Sequence, residues 1–467
     1  MLLVTAGLLA SVLVVALQDG VALLRLAVRP DVLIALLVLD AVVFVFRAHC
    51  TVDAYRRSRR ARTLWGRPVG PAGGRAFAVA LLLALVALPH VVLGYYDFRS
   101  YDVLTSVFAS EEPVDVLPTG GGPPAPASGS GGSGGVGGAP EPAPATPAPA
   151  GTAGPEEPAS TQAKPPAERA SPWKRGRVTF LLVGGDAGPY RYGLRTDTMI
   201  VASIDTRTRR AALFGVPRNL IEVPFPASAR TELEVYPELL NSLWGYAEAR
   251  PELFPGAAMP GPTALKETIG SMLGLEIDYF AAVDLRGFVE LVDALGGVTV
   301  NVQRSIYDAG VSPPVEGEPS IELDLGPGLH TLDGRRALAY VRTRWASSDY
   351  DRMRRQRCVM GALAQQASVG TLLRAFPALA STVKKFVLTD VPLRTLPDLV
   401  ELLASLDSRQ MVGVSFVPPT FAAAWEGGDP VPDVELIRAT VSRAIARSPK
   451  VDPELGLQTV RTDCVSG

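Results

Sequence analysis

Cysteine and histidine are scarce in this chain of 467 residues, which contains three of each. The cysteines Cys50, Cys358 and Cys464 form no CxxC pair and are too few for a disulfide framework, although the sequence leaves a Cys358–Cys464 bridge open. Two histidines lie in or beside the apolar N-terminal region, and His330 sits in a glycine-rich turn that is typical of a structural residue. A histidine-rich metal site is therefore disfavoured, and His330 is the one candidate for a serine-type triad outside that region.

Signals of nucleotide and nucleic-acid binding are also lacking. The pair Gly184-Gly185 ends an apolar run, but no GxxxxGK[ST] motif continues from it, so the pair indicates a turn after a strand rather than a phosphate loop. The net charge of −2 provides no overall attraction to nucleic acid. We therefore expect no nucleic-acid partner.

Long apolar runs are present at about 2–17, 31–46 and 76–95. A membrane-spanning helix needs about 20 apolar residues; the third run meets this length, and the first two require flanking residues. The first run has no basic segment before it and no obvious cleavage site, which favours a retained helix over a signal peptide. We predict a membrane anchor over residues 1–98 with about three transmembrane helices.

The segment between the second and third apolar runs predicts the orientation of this anchor. Its only acid is Asp53, and its arginines are Arg47, Arg56, Arg57, Arg59, Arg60, Arg62, Arg67 and Arg75. Basic loops stay in the cytoplasm, so everything after Tyr95 is predicted to be extracytoplasmic. The alternative, an arginine run that binds nucleic acid, is disfavoured by its position between two apolar runs. The prediction is a multi-pass protein of the cytoplasmic membrane with its C-terminal domain outside.

Residues 99–172 differ sharply in composition from the rest of the chain. From residue 111 onward Pro, Gly, Ala, Ser and Thr dominate, and GSGGSGGVGG lies within a Pro/Ala-rich frame. Too few residues there can build a core, so we predict a disordered extracytoplasmic linker. It is followed by a globular domain at 173–448 and a C-terminal tail at 449–467.

The globular domain alternates between strand-like and helix-like segments. RVTFLLVGG, MIVASID, YFAAVD and VTVNV are short apolar runs typical of strands, whereas LRGFVELVDALGG and the segment at about 349–369 have helical spacing. Such alternation predicts an α/β fold with helices packed on a central sheet.

Two clusters of polar residues border predicted strands. Arg195 and Asp197 come just before one strand, and Arg218 and Asn219 come just after another. The ends of strands are where α/β sheets usually bind their ligands, so these residues are candidates for a site.

Two further clusters have regular spacing. The first predicts a strand that presents three polar side chains on one face: Tyr340, Arg342 and Arg344. The second predicts one face of a helix, with spacing i, i+3, i+6 and i+7: Asp349, Arg352, Arg355 and Gln356. Ser347 and Ser348 are suited to cap this helix, whose N-terminus would favour anions.

The chemistry of these residues indicates a phosphate ligand. Arginine is permanently charged, and its planar fork matches phosphate oxygens. Asp197 and Asp349, and also Asp186, can offset part of the positive charge or hold Mg²⁺ or Mn²⁺. For any single pair the alternative is a solvated surface ion pair, which four clusters together disfavour.

At this point the domain resembles the LytR-CpsA-Psr (LCP) family of envelope glycopolymer transferases. The resemblance follows the chain in order from FLLVGGDAG through LRTDTMIVASID, VPRNL, DALGGV and YVRTR to DYDRMRRQR. It implies a three-layer domain with a central mixed β-sheet flanked by helices. It also implies transfer of a glycopolymer from a polyprenyl-pyrophosphate carrier in the membrane to peptidoglycan, through a phosphodiester and with Mg²⁺ or Mn²⁺.

The resemblance assigns roles by motif. Arg195 and Asp197 match the R-x-D-T motif, and Arg218 matches the arginine of P-R-D. The residues that match the paired arginines and the following D-x-x-R and R-Q positions are Arg342, Arg344, Asp349, Arg352, Arg355 and Gln356. Asp197 and Asp349 become the expected metal ligands. Substrate contacts are expected from Asn219, Gln356 and Tyr340.

Three features depart from the family pattern. Asn219 stands where the family usually has Asp, Arg357 replaces the second Gln of R-Q-Q, and the anchor has more than one span. The loss of a carboxylate at Asn219 keeps an alternative open: a non-catalytic or regulatory envelope protein that binds lipid-linked pyrophosphate.

Overall fold

The computed structural model describes residues 20–64, 72–108, 172–185, 195–314, 317–344, 348–366, 369–406, 411–446, 452 and 454–459. The first predicted transmembrane run, most of the predicted linker, Asp186, Ser347 and Cys464 lie outside these residues. Cys358 is 5% exposed and disulfide-bonded.

Three helices precede the domain: α1 (Gly20–Ala27), α2 (Pro30–Leu64) and α3 (Ala72–Val107). Within the described residues, Pro30–Arg57 and Val79–Val107 are long and apolar enough to cross a membrane, with mean hydropathies of 2.2 and 2.1. They correspond to the second and third predicted runs. The last helix continues to Val107, beyond the point where the sequence predicts the linker to begin.

A polar pair joins the two long helices within their apolar stretches. The Nδ1 atom of His90 lies 2.7 Å from Oδ1 of Asp40, and their side chains are 9% and 17% exposed. The His90 ring also packs on Phe44, with ring centroids 5.4 Å apart. This polar contact links α2 to α3 within the apolar stretches of both helices.

The domain contains strands of very different length. The described strands are β1 (Arg177–Gly185), β2 (Thr196–Asp205), β3 (Ala211–Val216), β4 (Val223–Pro224), β5 (Val235–Tyr236), β6 (Tyr279–Asp284), β7 (Val298–Val302), β8 (Ile306–Val311), β9 (Ile321–Leu325), β10 (Gly328–Leu332), β11 (Val387–Thr389), β12 (Val412–Ser415), β13 (Ala422–Glu426), β14 (Asp429–Pro432) and β15 (Gln458–Thr459). Seven of them form one sheet in the order β11-β6-β1-β2-β3-β12-β15, and the others pair in twos.

Helices accompany these strands along the chain. They are α4 (Pro172–Arg175), α5 (Leu243–Glu248), α6 (Pro260–Leu273), α7 (Leu285–Ala294), α8 (Gly334–Arg342), α9 (Asp349–Gln366), α10 (Val369–Phe386), α11 (Leu396–Ala404) and α12 (Val434–Ile445). Aspartates start three of them: Asp284, Asp333 and Asp433 each accept a hydrogen bond from a backbone N–H of the first turn.

The central sheet is mixed and buried on both faces. Strand β1 pairs antiparallel with β2 and parallel with β6, and β3 pairs antiparallel with β2 and parallel with β12. Alternate residues point to opposite faces. Leu181 belongs to a buried cluster that includes residues of α5, α6 and α12, whereas Phe180 belongs to one that includes Leu396 and Leu402 of α11. This three-layer arrangement confirms the predicted fold class.

The N-terminal helices pack against one of these layers. Leu33 and Leu104, which are 4% and 6% exposed, belong to the same buried cluster as Phe180. Arg25 of α1 forms a 2.6 Å ion pair with Glu401 of α11. The ends of the anchor helices therefore contribute to the core of the domain.

The strand predicted over Tyr340, Arg342 and Arg344 is wrong, because α8 occupies 334–342. Asp333 caps this helix by accepting a hydrogen bond from the Arg336 N–H at 2.8 Å. Its apolar side chains are buried at helical spacing, with Ala337 and Val341 0% and 7% exposed. Polar residues at every second position in so short a segment do not distinguish a strand from the end of a helix.

Candidate functional site

The register of two neighbouring strands creates the first part of the site. Met199 of β2 lies opposite Val216 of β3 in an antiparallel pair. Asp197 lies two residues before Met199, and Arg218 lies two residues after Val216. The antiparallel register therefore places Asp197 beside Arg218. Oδ1 of Asp197 accepts a hydrogen bond from Nη1 of Arg218 at 2.6 Å.

Asp349, the first residue of α9, joins three arginines into one cluster. Its Oδ1 lies 3.2 Å from Nε of Arg344 and 3.6 Å from Nη2 of Arg218, and its Oδ2 lies 3.1 Å from Nη2 of Arg352. Arg352 also approaches the backbone carbonyl of Asp197 at 3.5 Å. Five predicted residues, from all four predicted clusters, are thus brought together; below they are called the acid–arginine cluster.

The acid–arginine cluster carries excess positive charge. Arg218, Arg344 and Arg352 face two carboxylates. Burial lowers the pKa of Arg352 to about 10, opposed by the nearby Asp349 carboxylate, so this guanidinium remains charged near neutral pH. Arg195, directly before β2, is exposed. Such an excess is suited to an anionic ligand.

Hydrogen-bond donors also remain available in the acid–arginine cluster. The Nε atoms of Arg218 and Arg352 are buried and have no acceptor among the described residues. The N-terminus of α9 adds its own partial positive charge. Ser348 and Asp351 close this end reciprocally: the Ser348 hydroxyl accepts from the Asp351 N–H, and the Asp351 carboxylate accepts from the Ser348 N–H, both at 3.1 Å. This confirms the predicted cap by Ser348.

Arg355 and Gln356 lie one turn further along α9 and donate hydrogen bonds to backbone carbonyls. Arg355 donates from Nε to the carbonyl of Tyr340 at 2.8 Å and from Nη2 to that of Thr343, and Gln356 donates to the carbonyl of Val341 at 3.4 Å. These carbonyls form the C-terminal end of α8, which has no further helical N–H to bond. The two side chains thereby fix the backbone that carries Arg344.

Tyr340 and Arg342 have different surroundings. Tyr340 is 5% exposed, its ring lies 5.8 Å from the guanidinium carbon of Arg355, and burial raises the pKa of its hydroxyl. It belongs to a buried apolar cluster with residues of β7, β9 and α8. Arg342 donates to the carbonyl of Ser312 at 2.7 Å, so part of its donor capacity is used by the loop after β8. Contacts of either residue with a substrate stay predictions.

Asn219 leads to a residue that the sequence patterns missed. Its Nδ2 donates to Oδ1 of Asp429 at 3.3 Å, and its side chain also contacts the hydroxyl of Tyr350. Asp429 begins β14, 210 residues further along the chain. The sequence signal was the Gly427-Gly428-Asp429 turn between two short extended segments, which indicates a hairpin but not its partner.

The predicted metal ligands are two carboxylates, those of Asp197 and Asp349. No group of three or more His, Cys, Asp or Glu side chains suited to a metal occurs in the described residues. Asp197 and Asp349 flank the same Arg218 guanidinium, and Oδ1 of Asp349 is buried without a hydrogen bond. Two carboxylates of this kind fit Mg²⁺ when phosphate oxygens and water supply its remaining ligands.

Curated proteins of other bacteria resemble part of this chain. Corynebacterium glutamicum has a relative named probable cell wall biosynthesis protein LcpB, 34% identical over 215 residues, which cover 45% of this chain and 43% of that protein. Biofilm regulatory protein A of Streptococcus mutans is 26% identical over 246 residues, which cover 50% of this chain and 56% of that protein. This chain spans about half the length of the curated relatives it matches.

Solved structures and a family model complete the comparison. The crystal structure of Bacillus subtilis TagV aligns with a TM-score of 0.44 and 20% identity, covering 58% of this chain and 98% of that one. The model of the LytR_cpsA_psr family matches residues 151–429, which is more than half of the chain. The chain belongs to the LytR_cpsA_psr family.

Proposed function

We propose that this protein transfers a glycopolymer from a polyprenyl-pyrophosphate carrier to peptidoglycan, forming a phosphodiester during cell-wall assembly. The observation that carries the proposal is the acid–arginine cluster, in which Arg218, Arg344 and Arg352 outnumber two carboxylates. A pyrophosphate supplies the negative charge that this cluster lacks. Family membership and the relative named for cell wall biosynthesis support the same class of substrate.

In the proposed reaction a sugar hydroxyl of the acceptor attacks the phosphorus nearest the donor sugar. The bond from this phosphorus to the oxygen bridging the two phosphates breaks, and lipid monophosphate leaves with the bonding electrons. The hydroxyl proton passes to a carboxylate or to water. Arg218, Arg344 and Arg352 hold the phosphates and stabilise the charge that moves to the leaving group.

A divalent cation is part of the proposal. Asp197 and Asp349 would hold Mg²⁺ or Mn²⁺, which supplies further charge neutralisation on the pyrophosphate when bound. Arg218 contacts both carboxylates and keeps them on the same side of the substrate. No side chain needs to form a covalent intermediate, so a single displacement is sufficient.

The proposed location is the cytoplasmic membrane with the domain outside. Support comes from α1, which contacts α11 although the two apolar helices α2 and α3 lie between them in the chain. Two crossings return the chain to the side from which it started. The arginine-rich segment that connects these crossings then lies on the opposite side, which the positive-inside rule assigns to the cytoplasm.

The experiment uses the full-length chain in detergent with a short polyprenyl pyrophosphate, where water replaces the acceptor. Release of lipid monophosphate is followed with and without Mg²⁺. Arg344, whose side chain is 53% exposed, can be removed with little effect on the core. We expect Arg344→Ala to lower the rate about a hundredfold, as for loss of one donor to a transition state.

A matched control is Arg286→Ala, which removes an exposed arginine paired with Glu290 on α7. It should cleave the lipid like the unsubstituted chain. If Arg344→Ala and Arg218→Ala both retain full activity, the acid–arginine cluster is not the reactive site.

One observation favours a second function, a binding or regulatory protein without catalysis. Asn219 replaces a family carboxylate, and its Oδ1 is buried without a hydrogen-bond partner in the described residues. Tight binding of the lipid pyrophosphate without cleavage would establish this function instead. Asn219→Asp is then the substitution with which to seek activity.

A further inference from the structure

A cavity of about 920 Å³ lies where the N-terminal helices meet the domain; it is called the junction cavity below. One wall comes from α1 and the start of α2, and it includes Leu26 and Pro30. The other wall comes from the segment that leads into α11, and it includes Leu393 and Pro397. A cavity of this size, lined mainly by apolar surface, is suited to a small organic ligand.

The junction cavity lies away from the acid–arginine cluster. Strand β11 runs antiparallel to β6, and β6 runs parallel to β1. The last residue of β1, Gly185, pairs with Thr196, which adjoins Asp197 of the acid–arginine cluster. Strand β11 therefore runs away from this cluster and ends at Thr389, shortly before the wall of the cavity begins at Pro392. The two sites can thus bind different ligands.

The position of the junction cavity on the membrane anchor indicates what can reach it. Pro30, on its wall, is the first residue of the apolar stretch Pro30–Arg57. This stretch has 28 residues, and a helix of that length is about 42 Å long, which exceeds the hydrocarbon core of about 30 Å. Its ends therefore lie at the level of the lipid headgroups. Leu26 and Ile34 on either side of Pro30 are 44% and 48% exposed, so an apolar surface leads from the cavity along α2.

Charged side chains on the walls select the kind of headgroup. Three arginines and two aspartates line the junction cavity, which leaves an excess of one positive charge: Arg25, Arg29, Arg394, Asp31 and Asp398. A phospholipid whose headgroup carries one net negative charge balances this excess. A zwitterionic headgroup is less suited, because its ammonium group is repelled by the arginines.

The arginines of the junction cavity can still donate hydrogen bonds to a ligand. Arg29 donates to Asp31 from Nε and Nη2, at 3.3 and 2.9 Å, and its Nη1 takes no part in this pair. Arg25 pairs with Glu401 through Nη1 at 2.6 Å, and Arg209 approaches the same carboxylate at 3.4 Å. Exposed ion pairs of this kind contribute little stability, so a phosphate group can take over part of these donors.

We propose that the junction cavity binds an anionic phospholipid of the surrounding membrane. Its phosphodiester contacts Arg25, Arg29 and Arg394, and an acyl chain follows Leu26 and the apolar surface of α2. The lipid joins the anchor to the domain, because these arginines come from both walls of the cavity. This inference goes beyond the proposed reaction and rests only on membrane anchoring.

Binding is tested with the full-length chain in detergent and two probes, phosphatidylglycerol and phosphatidylcholine, with the bound lipid counted by native mass spectrometry. Phosphatidylglycerol should bind about tenfold more tightly, since it lacks the ammonium group that the arginines repel. Arg29→Ala should lower the affinity for phosphatidylglycerol about tenfold, and Arg29→Ala/Arg394→Ala about a hundredfold, since each loses one charge-assisted hydrogen bond per arginine. Equal affinities of the unsubstituted chain for the two lipids overturn the proposal.

Two further variants separate a site from a general attraction to anionic lipid. Arg57→Ala removes an exposed arginine from the other end of α2, where it pairs with Asp53 as Arg29 pairs with Asp31, and it should bind phosphatidylglycerol normally. Leu26→Trp keeps every charge but fills part of the junction cavity, and it should lower the same affinity about tenfold. Equal losses in Arg57→Ala and Arg29→Ala, or normal binding by Leu26→Trp, would show that the cavity does not hold the lipid.

A polyprenyl pyrophosphate distinguishes the junction cavity from the proposed reactive site. Arg29→Ala/Arg394→Ala should cleave this substrate with an unchanged KM, because the cavity lies away from the acid–arginine cluster. A raised KM together with an unchanged affinity for phosphatidylglycerol would assign the cavity to the substrate and overturn the proposal. Absence of cleavage in the unsubstituted chain overturns the proposed function instead and leaves the phospholipid measurement unaffected.

Discussion

Two successive turns of α9 each carry a buried arginine, and the two arginines have different partners. Arg352, on the first turn, contacts the Asp349 carboxylate at 3.1 Å and leaves its Nε without an acceptor among the described residues. Arg355, on the next turn, directs its Nε and Nη2 donors to backbone carbonyls of Tyr340 and Thr343. Both are buried, at 4% and 6% exposure. Their partners, rather than their burial, distinguish a residue available to a ligand from one that stabilises the fold.

Burial lowers the pKa of both arginines, but their surroundings differ. In each case desolvation is the main cause of the lower pKa. Arg352 lies in the acid–arginine cluster, where three arginines face two carboxylates. Arg355 is surrounded by carbonyl dipoles that already satisfy it.

The largest expected effect comes from replacing Arg352, which we propose contacts the substrate phosphates. Arg352→Gln should lower lipid pyrophosphate cleavage by about a hundredfold, because one charged donor to the phosphates is lost. Its Tm should change little, since glutamine can still donate to Asp349. The rate is measured as release of lipid monophosphate from the full-length chain.

Arg354 on the same helix provides the matched control. Its side chain is 49% exposed and pairs with Asp351 at 3.4 Å. Arg354→Gln should cleave the lipid at the normal rate. Equal losses in Arg352→Gln and Arg354→Gln would remove the distinction between the two faces of α9.

An intermediate effect is expected at Arg355, one turn further along α9, where a substitution changes stability. Arg355→Met keeps the volume but leaves the carbonyls of Tyr340 and Thr343 without donors. The free energy of unfolding should fall by about 2–3 kcal/mol, measured by denaturant titration of the full-length chain. Activity should fall mainly through a displaced Arg344. Unchanged unfolding would mean that water replaces these donors without cost.

The sequence predicted the fold from features that depend on local pattern. Apolar runs such as RVTFLLVGG and the Gly-terminated helix before Val298 each indicate one element, and their alternation indicates the layers. The helix at 334–342 was missed because Arg342 and Arg344 alternate as they would on a strand. Its cap at Asp333, the stronger helix signal, lies seven residues before Tyr340.

Within the site, spacing identified the residues but not their partners. Asp197, Arg218, Asp349 and Arg352 were correctly expected to lie together, because three of them sit at the ends of elements. The separate use of Arg355 and Gln356 depends on the end of α8, which no spacing along α9 reveals. Asp429 lies close to Asn219 because the fold brings the β13–β14 hairpin there, and no local sequence pattern predicts this contact.

The smallest expected effect lies in the anchor, where one polar pair joins two helices. Nδ1 of His90 lies 2.7 Å from Oδ1 of Asp40 between two apolar helices. His90→Leu leaves the Asp40 side chain without this partner and should destabilise the full-length chain by about 1 kcal/mol, measured by thermal unfolding in micelles. The double variant Asp40→Leu/His90→Leu removes both polar groups and should regain most of that loss. If the single variant unfolds like the unsubstituted chain, the pair does not hold the helices together.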